Sequence, residues 1–268
     1  MQAERLNVAR IVAVANQKGG VGKTTTSVNV AASLAQAGKR VLLVDLDPQG
    51  NATMGSGIDK RKLARTVYHV LLGLGDIATI RIASESGGYD LVPSNRDLAG
   101  AEIELVDLPN REGRLRSALE RIAADYEYVF IDCPPSLSLL TVNAFAAADE
   151  VLIPMQCEYY ALEGLSDLVG TIKRVRAHIN PRLQIAGLLR TMYDPRNTLS
   201  HQVSQQLEEH FGEKVYRTLV PRNVRLAEAP SFGAPAVVWD RSSKGAQAYL
   251  ALADEILARA GILDGNAA

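Results

Sequence analysis

The stretch Ile11-Val-Ala-Val-Ala-Asn-Gln-Lys-Gly-Gly-Val-Gly-Lys-Thr-Thr25 places a short apolar run directly before a glycine-rich loop. The apolar run predicts a β-strand, and the residues from Thr24 to Ala37 predict a helix. A glycine loop between a strand and a helix N-terminus can wrap phosphate oxygens with its backbone N–H groups, and Lys23 can neutralise their charge. The sequence therefore predicts a nucleotide-binding site.

The first half of this loop departs from the usual phosphate-binding pattern. That pattern has glycine six residues before its Lys-Thr pair, where this chain has Gln17, with Lys18 beside it. The rest of the pattern is intact, since its glycines permit close backbone approach and the Thr24 hydroxyl is suited to bind Mg²⁺. The loop residues predicted to bind the nucleotide are Gly19, Gly20, Val21, Gly22, Lys23, Thr24 and Thr25.

The amino-acid composition limits the classes of protein to which this chain can belong. The 268 residues are 47% hydrophobic and carry a formal net charge of −1, which allows a large core and gives no overall basic field for nucleic acid. Cys133 and Cys157 are too few and too far apart for a disulfide framework or a CxxC metal site, so we expect buried thiols in a cytoplasmic protein. No stretch approaches the about 18 apolar residues that cross a bilayer.

Short β-branched runs alternate with longer helical patterns along the chain. The predicted fold class is α/β: one doubly wound, mostly parallel sheet with helices on both faces, forming a single domain over residues 1–268. The predicted strands are Val8 to Ala15, Val41 to Asp45, Tyr128 to Asp132, Glu150 to Met155, Leu183 to Thr191 and Val215 to Val220, and further predicted helices are Arg111 to Ala124 and Leu162 to His178.

Two further segments have their own predictions. The segment from Gly50 to Gly88 is irregular and rich in glycine and serine, so we expect a surface excursion with one or two short helices. The C-terminal helix, roughly Gly245 to Ala260, has little on its polar face beyond Lys244 and Arg259. Because a membrane-targeting helix should be strongly basic, we expect this helix to pack on the core.

Acidic residues follow two of the predicted strands. The run Tyr128-Val-Phe-Ile-Asp132 has the form of a Walker B element, in which Asp132 holds Mg²⁺ through its water shell. The strand Val41 to Asp45 continues to Asp47, so two more carboxylates follow a strand C-terminus, where α/β sheets place their ligands. Acids beside a phosphate site predict a task such as holding Mg²⁺ or orienting water.

These elements resemble the deviant Walker A ATPase family, a group of P-loop NTPases, and the match is closest to its ParA/Soj partition branch. The resemblance spans nearly the whole chain. It is carried by Ala15-Asn-Gln-Lys-Gly-Gly-Val-Gly-Lys-Thr-Thr-Thr26, Val44-Asp-Leu-Asp-Pro-Gln-Gly-Asn51, Phe130-Ile-Asp-Cys-Pro-Pro-Ser136, Gln156-Cys-Glu-Tyr-Tyr-Ala-Leu-Glu-Gly164 and Pro221-Arg-Asn-Val-Arg-Leu-Ala-Glu-Ala-Pro-Ser231.

The resemblance implies roles for individual residues. Lys18 corresponds to the signature lysine, which binds the nucleotide of the partner subunit when two ATP-loaded monomers form a sandwich dimer. Asp47 positions the attacking water, Asp45 supports Mg²⁺ or its water shell, and Pro221 and Asn223 lie near the adenine. The implied cofactors are ATP and Mg²⁺, and the implied catalytic residues are Lys18, Lys23 and Asp47.

The resemblance also implies a DNA partner. In this branch an ATP-dependent homodimer binds double-stranded DNA without sequence preference, on the nucleoid in the cytoplasm. Weak ATP hydrolysis, stimulated by a ParB-type centromere-binding protein, releases it. We expect no N-terminal helix-turn-helix domain and therefore no specific operator binding. The cationic residues predicted to contact DNA phosphates are Arg196, Arg222 and Arg225, followed by Arg190, Arg241 and Lys244.

Two alternatives remain open at this stage. One is a MinD-like positioning ATPase that associates with membranes, and the other is a nucleotide-switched scaffold in which hydrolysis is incidental. The weakly basic C-terminal helix argues against the first of these. We expect no membrane partner.

Overall fold

The computed structural model describes residues 9–159 and 161–265 of the chain. The strands in these residues are β1 (Arg10–Val14), β2 (Val41–Asp45), β3 (Ile82–Ser84), β4 (Tyr89–Val92), β5 (Tyr128–Asp132), β6 (Glu150–Gln156), β7 (Gln184–Tyr193) and β8 (Val215–Pro221). They form one sheet in the order β3-β4-β2-β5-β1-β6-β7-β8. Each neighbouring pair is parallel except β3 and β4, which are antiparallel.

Helices connect the strands and cover the sheet. The α-helices of the described residues are α1 (Lys23–Gln36), α2 (Asn51–Gly55), α3 (Val67–Leu72), α4 (Ile77–Ile80), α5 (Leu98–Glu104), α6 (Arg114–Leu119), α7 (Leu139–Ala147), α8 (Ala161–His178), α9 (Thr198–Phe211), α10 (Val224–Glu228), α11 (Ala236–Trp239) and α12 (Lys244–Gly265). Short 3₁₀-helices occupy Lys60–Lys62, Leu105–Asp107, Ala123–Asp125, Gly212–Lys214 and Ala229–Phe232.

The sheet is buried on both faces. Along β2, Leu42 and Val44 belong to a core that includes α7 and α8, whereas Val41 and Leu43 belong to a second core that includes α1 and α12. Successive side chains of a strand point to opposite faces, so a continuous apolar strand needs a helical layer on each side. The predicted doubly wound α/β class is therefore confirmed.

The helix α12 packs against the second core. Tyr249, Leu252 and Ile256 follow one another at intervals of three and four residues, and all three are buried. The Tyr249 hydroxyl lies 3.0 Å from the Thr26 hydroxyl of α1. The prediction that the C-terminal helix packs on the core is confirmed.

Several predicted boundaries differ from the structure. The predicted start of the first strand, Val8, lies outside the described residues. The helix expected from Arg111 to Ala124 is shorter, because Asn110 has a φ of 53° and the chain turns through Gly113 before α6 begins. Sequence analysis did not predict β3 and β4, which have only three and four residues. The segment from Gly50 to Gly88 holds three short α-helices where one or two were expected.

Two glycine turns from distant parts of the chain meet backbone to backbone. Gly57 follows α2 and Gly233 precedes α11, and both have positive φ. A Cβ atom on Gly57 would lie 2.8 Å from the carbonyl oxygen of Gly233. The Ser86 hydroxyl donates to that same oxygen at 3.0 Å. The two turns therefore pack at a distance that only glycine permits.

Candidate functional site

The carboxyl ends of β1, β2 and β5 meet at one edge of the sheet. Asp132 pairs in register with Val14 on one side and with Asp45 on the other. The glycine loop begins directly after β1, so it lies beside both aspartates. Open α/β sheets bind their ligands at this edge, and the sheet order explains why residues far apart in sequence converge here.

The glycine loop presents open backbone at the start of α1. Gly20 and Gly22 have φ angles of 74° and 87°, and a Cβ atom on Gly19 or Gly20 would meet nothing within 4 Å. The first turn of α1 has neither a capping side chain nor an acidic residue. Its N–H groups and the positive end of its dipole therefore suit an anion.

Lys23 directs its ammonium group across the loop. The side chain is buried, and Nζ donates to the backbone oxygen of Lys18 at 3.0 Å. Burial lowers the pKa of Lys23, while the nearby carboxylate of Asp132 opposes that shift. A buried cation inside a glycine loop is the arrangement that binds phosphate oxygens.

Asp132 is fully buried and accepts two hydroxyl hydrogen bonds. Thr24 Oγ1 donates to one carboxylate oxygen at 2.8 Å, and Ser27 Oγ donates to the other at 2.9 Å. Burial raises the pKa of Asp132, and the charges of Asp45 and Asp47 raise it further. Because these acids repel one another in a desolvated site, a cation here would be stabilising.

This donor set fits Mg²⁺. Residues 9–159 and 161–265 hold no group of three or more His, Cys, Asp or Glu side chains that could bind a metal directly. Mg²⁺ usually takes one or two protein oxygens and fills its other positions with water and phosphate. The Thr24 hydroxyl and the Asp132 carboxylate supply hard oxygen donors beside the phosphate loop, which matches that preference.

Asp45 fixes the backbone of the loop that follows β2. One carboxylate oxygen accepts from both the backbone N–H and the hydroxyl of Thr53, at 2.8 and 2.7 Å, and the other accepts from the Asp47 N–H at 3.2 Å. Burial raises the pKa of Asp45 despite these bonds. Its role in supporting Mg²⁺ stays a prediction, whereas its local bonds hold Asp47 in place.

Asp47 lies in a short loop anchored to the end of β4. Its carboxylate accepts from the Gln49 N–H at 2.9 Å, and its backbone oxygen accepts from the Ser94 hydroxyl at 2.8 Å. Gly50 allows the turn, because a Cβ atom there would lie 2.8 Å from the Ser94 oxygen. The structure thus brings Asp47 to the same sheet edge as Lys23 and Asp132, as predicted from the strand ends.

Lys18 occupies the exposed front of the loop. Its N–H donates to Asn16 Oδ1 at 3.0 Å, and Asn16 Nδ2 donates to the Pro154 oxygen at 2.8 Å, which ties this part of the loop to β6. The Lys18 ammonium pairs with the carboxylate of Glu158. Glu158 lies in the segment from Gln156 to Gly164 that carries the family resemblance, and no role was predicted for it. Tyr160 of the same motif lies outside the described residues.

The chain is similar in sequence to known proteins over most of its length. The family model for an AAA domain matches residues 9–185. The chromosome partitioning protein ParA of Caulobacter vibrioides is 53% identical over 94% of this chain and 96% of its own length. The sporulation initiation inhibitor protein Soj of Bacillus subtilis is 54% identical over 94% of this chain and 99% of its own. The chain belongs to the ParA/Soj family.

A solved relative carries nucleotide and metal. The cobyrinic acid a,c-diamide synthase from Mycobacterium smegmatis, with bound ADP and magnesium, is 41% identical and has a TM-score of 0.82. The match covers 93% of this chain and 94% of that one. The predicted family and the predicted P-loop NTPase fold are confirmed.

In this ParA/Soj chain, Pro221 and Asn223 lie at the carboxyl end of β8. Pro221 pairs with Tyr193 of β7, and Asn223 accepts from the Arg225 N–H at 2.9 Å and so caps α10. A cavity of about 280 Å³ opens beside Thr24 and Thr25, and neither Pro221 nor Asn223 lines it. Their adenine contacts stay predictions.

In this ParA/Soj chain, the prediction that Arg190 contacts DNA is wrong, because the side chain is buried. It is 4% exposed, and its guanidinium donates to the Ser204 hydroxyl and the Tyr216 oxygen, both at 2.7 Å, and to the Glu208 carboxylate. A guanidinium enclosed by these partners cannot reach DNA. The other predicted DNA-contacting cations are exposed: Arg196, Arg222, Arg225, Arg241 and Lys244.

The exposed cations differ in their surroundings. Arg196 pairs with Asp194 at 2.9 Å. Arg225 pairs with Glu228 and Asp240 and lies over the Trp239 ring, 5.6 Å from its centroid. The charge of Arg196 is therefore partly neutralised by Asp194, and that of Arg225 by acids from α10 and from the end of α11.

Both cysteines lie in the interior of the protein. Cys133 and Cys157 are buried free thiols, as predicted, and burial raises the pKa of Cys157 to about 11. Within the described part of the chain, each helix is too short or too polar to cross a bilayer.

Proposed function

We propose that this chain is an ATP-dependent DNA-segregation ATPase. Two ATP-bound copies form a sandwich dimer that binds double-stranded DNA without sequence preference on the nucleoid. ATP hydrolysis is slow in the dimer alone, and a ParB-type centromere-binding protein stimulates it and so releases the dimer from DNA. The observation that carries this proposal is Lys23 inside an open glycine loop, beside the buried Asp132.

ATP and Mg²⁺ fit the residues of the site. The loop N–H groups and Lys23 hold the phosphates, while Thr24 and Asp132 hold the metal, Asp132 through water. When bound, Mg²⁺ neutralises charge on the phosphate oxygens. Asp47 orients the water that attacks, because its loop is anchored by Asp45 and Ser94. The ADP and magnesium in the M. smegmatis relative support both ligands.

The exposed position of Lys18 supports a role across a subunit interface. Its ammonium lies on the surface and does not enter its own loop, where Lys23 already contacts the Lys18 oxygen. A cation supplied by a second subunit can stabilise the charge of a transferring phosphoryl group as an arginine finger does. Lys18 is then the catalytic residue that makes hydrolysis depend on dimerisation.

The exposed cations of the C-terminal third support DNA binding. Arg222, Arg241 and Lys244 are exposed and can meet phosphates, and Arg196 and Arg225 can do so once their acidic partners are displaced. Phosphate contacts carry no base specificity and make binding steeply dependent on salt. The buried apolar face of α12 supports DNA as the surface bound in preference to a membrane.

One experiment tests the switch directly. Binding to a DNA duplex is measured with ATP and Mg²⁺, with ADP and Mg²⁺, and without nucleotide, each across a salt series. We expect tight, salt-dependent binding only with ATP. Equal binding in all three states would overturn the proposal. Cosedimentation with anionic vesicles in place of DNA would favour the MinD-like alternative, and full function in a hydrolysis-dead variant would favour the scaffold.

A further inference from the structure

Thr191 on β7 contacts the glycine loop, although it is 170 residues away from it in sequence. Its hydroxyl donates to the backbone oxygen of Val21 at 2.8 Å. Thr191 is 2% exposed and Val21 is 1% exposed, so this hydrogen bond is shielded from water. A buried hydroxyl that serves a loop carbonyl is a specific contact, because leaving that carbonyl without a donor would be costly.

The methyl group of the same side chain lies beside the next loop residue. A Cβ atom on Gly22 would lie 3.7 Å from Thr191 Cγ2, which is van der Waals distance. Gly22 has a φ of 87° and directly precedes Lys23, the first residue of α1. Thr191 therefore binds Val21, and its methyl group limits the space beside Gly22, at the point where the loop becomes a helix.

The backbone conformation at the end of β7 places Thr191 against the glycine loop. Thr191 still pairs with Gln156 of β6, but the pairing of β7 with β8 shifts between Arg190 and Tyr193. Met192, between them, has a φ of 49°, a conformation that is unfavourable for a residue other than glycine. Such strain persists where the surroundings fix it, and it is concentrated at functional sites.

On its other side, Thr191 follows an anchored residue. The bonds from Arg190 to Ser204 of α9 and to the Tyr216 oxygen of β8 hold the strand in place. Thr191 thus lies between a fixed Arg190 and a strained Met192. This leaves its side chain little freedom to turn away from the loop.

We propose that Thr191 is a positioning residue for nucleotide binding. The carbonyl of Val21 and the N–H of Gly22 belong to one planar trans peptide, so they point in opposite directions. Holding the carbonyl on Thr191 fixes the direction of the Gly22 N–H, and with it the start of α1 that carries Lys23 and Thr24. This inference rests on the proposed ATP binding.

The test compares two pairs of proteins, and in each pair one member has the hydroxyl and the other lacks it. Wild type against Thr191→Val keeps the shape of the side chain, and Thr191→Ser against Thr191→Ala repeats the comparison without the methyl group. The dissociation constants of ADP with Mg²⁺ and of a non-hydrolysable ATP analogue are measured by titration on the full chain. Unfolding temperatures are recorded with and without nucleotide.

We expect loss of the hydroxyl to weaken nucleotide binding about three- to tenfold in each pair, the usual range for one hydrogen bond. Serine should stay within about twofold of wild type. A merely structural role would lower the unfolding temperature alone and leave both the affinity and the nucleotide-induced gain in unfolding temperature unchanged. That result would overturn the inference.

The outcomes separate this inference from the proposed function. If wild type binds nucleotide and hydroxyl loss has no effect, only the role of Thr191 fails. If wild type binds neither nucleotide, the proposed function fails and this inference fails with it. If Thr191→Val does not fold, the comparison of Thr191→Ser with Thr191→Ala answers the same question, because both of these side chains are smaller than threonine.

Discussion

Lys18 and Glu158 form an ion pair within one chain, at the exposed front of the glycine loop. The side chains remain 47% and 44% exposed. Exposed pairs of this kind contribute only about 0–1 kcal/mol, so the pair restrains Lys18 weakly. In the proposed dimer Lys18 reaches the partner subunit, and it must leave Glu158 to do so.

Glu158→Gln should therefore favour the ATP-bound dimer. Removing the carboxylate frees Lys18, and a gain in dimer affinity of up to about fivefold for each of the two Lys18 side chains corresponds to the small strength of an exposed pair. Sedimentation with a non-hydrolysable ATP analogue measures the monomer–dimer equilibrium. The control is Glu163→Gln, an equal change of charge at an exposed residue of α8. A weaker dimer in Glu158→Gln would mean that Glu158 acts across the interface instead.

Lys18→Ala should bind ATP as a monomer. The Lys18 ammonium pairs with Glu158, and the Lys18 oxygen that accepts from Lys23 is retained in the variant. ATP affinity should therefore stay within a few-fold of wild type, while ATP-induced dimerisation is lost. Equilibrium nucleotide titration and light scattering measure the two properties. An ATP-dependent dimer in this variant would contradict the role given to Lys18.

Asp47→Asn should separate ATP binding from hydrolysis. An amide oxygen can still accept from the Gln49 N–H, so the loop should keep its shape, but the negative charge that orients water is gone. We expect hydrolysis to fall by about a hundredfold or more, as for the loss of a general base. Phosphate release reports the rate, and the ATP dissociation constant reports binding. Hydrolysis at the wild-type rate would remove Asp47 from the mechanism.

Arg190→Met should reduce stability and leave the contacts to DNA in place. The substitution deprives Ser204 and the Tyr216 oxygen of a buried donor, which should cost about 2 kcal/mol in free energy of unfolding. Urea denaturation measures this loss. The matched variant, Arg222→Ala, changes an exposed side chain and should keep stability within about 0.5 kcal/mol.

DNA binding should change in Arg222→Ala and stay unchanged in Arg190→Met. Arg222→Ala should weaken ATP-dependent DNA binding and lower the slope of log affinity against log salt by about one, as expected for one phosphate contact. Arg190→Met should leave that slope unchanged. A changed slope in Arg190→Met would restore Arg190 to the DNA-contacting set.

The sequence predicted the parts of the site that are formed by residues adjacent to one another along the chain. The loop from Lys18 to Thr25 and the strand ending at Asp132 are local patterns, and the structure places them as predicted. Thr191 and Glu158 were not identified, because their contacts arise only when β6 pairs with β1 and β7 pairs with β6. No spacing along the chain reveals such a contact.

Arg190 shows a different limit. Arg190 was assigned to the DNA surface as one of the cations in the C-terminal third, and arginine is usually exposed. A local signal could have corrected this, since Arg190 follows Leu188 and Leu189 in a strand of a parallel sheet, whose residues are buried on both faces. The antiparallel β3–β4 edge was missed because its strands are too short to establish a period.

The contact of Gly57 with Gly233 joins two regions with different proposed partners. Gly57 lies ten residues after Asp47, and Gly233 lies ten residues after Asn223, within the surface that carries Arg225 and Arg241. Since main chain meets main chain, no side-chain rearrangement can absorb a displacement of either turn. We therefore expect a shift of α2 to displace the turn at Gly233, so that a movement beginning near the proposed water-orienting Asp47 reaches the surface proposed to meet DNA.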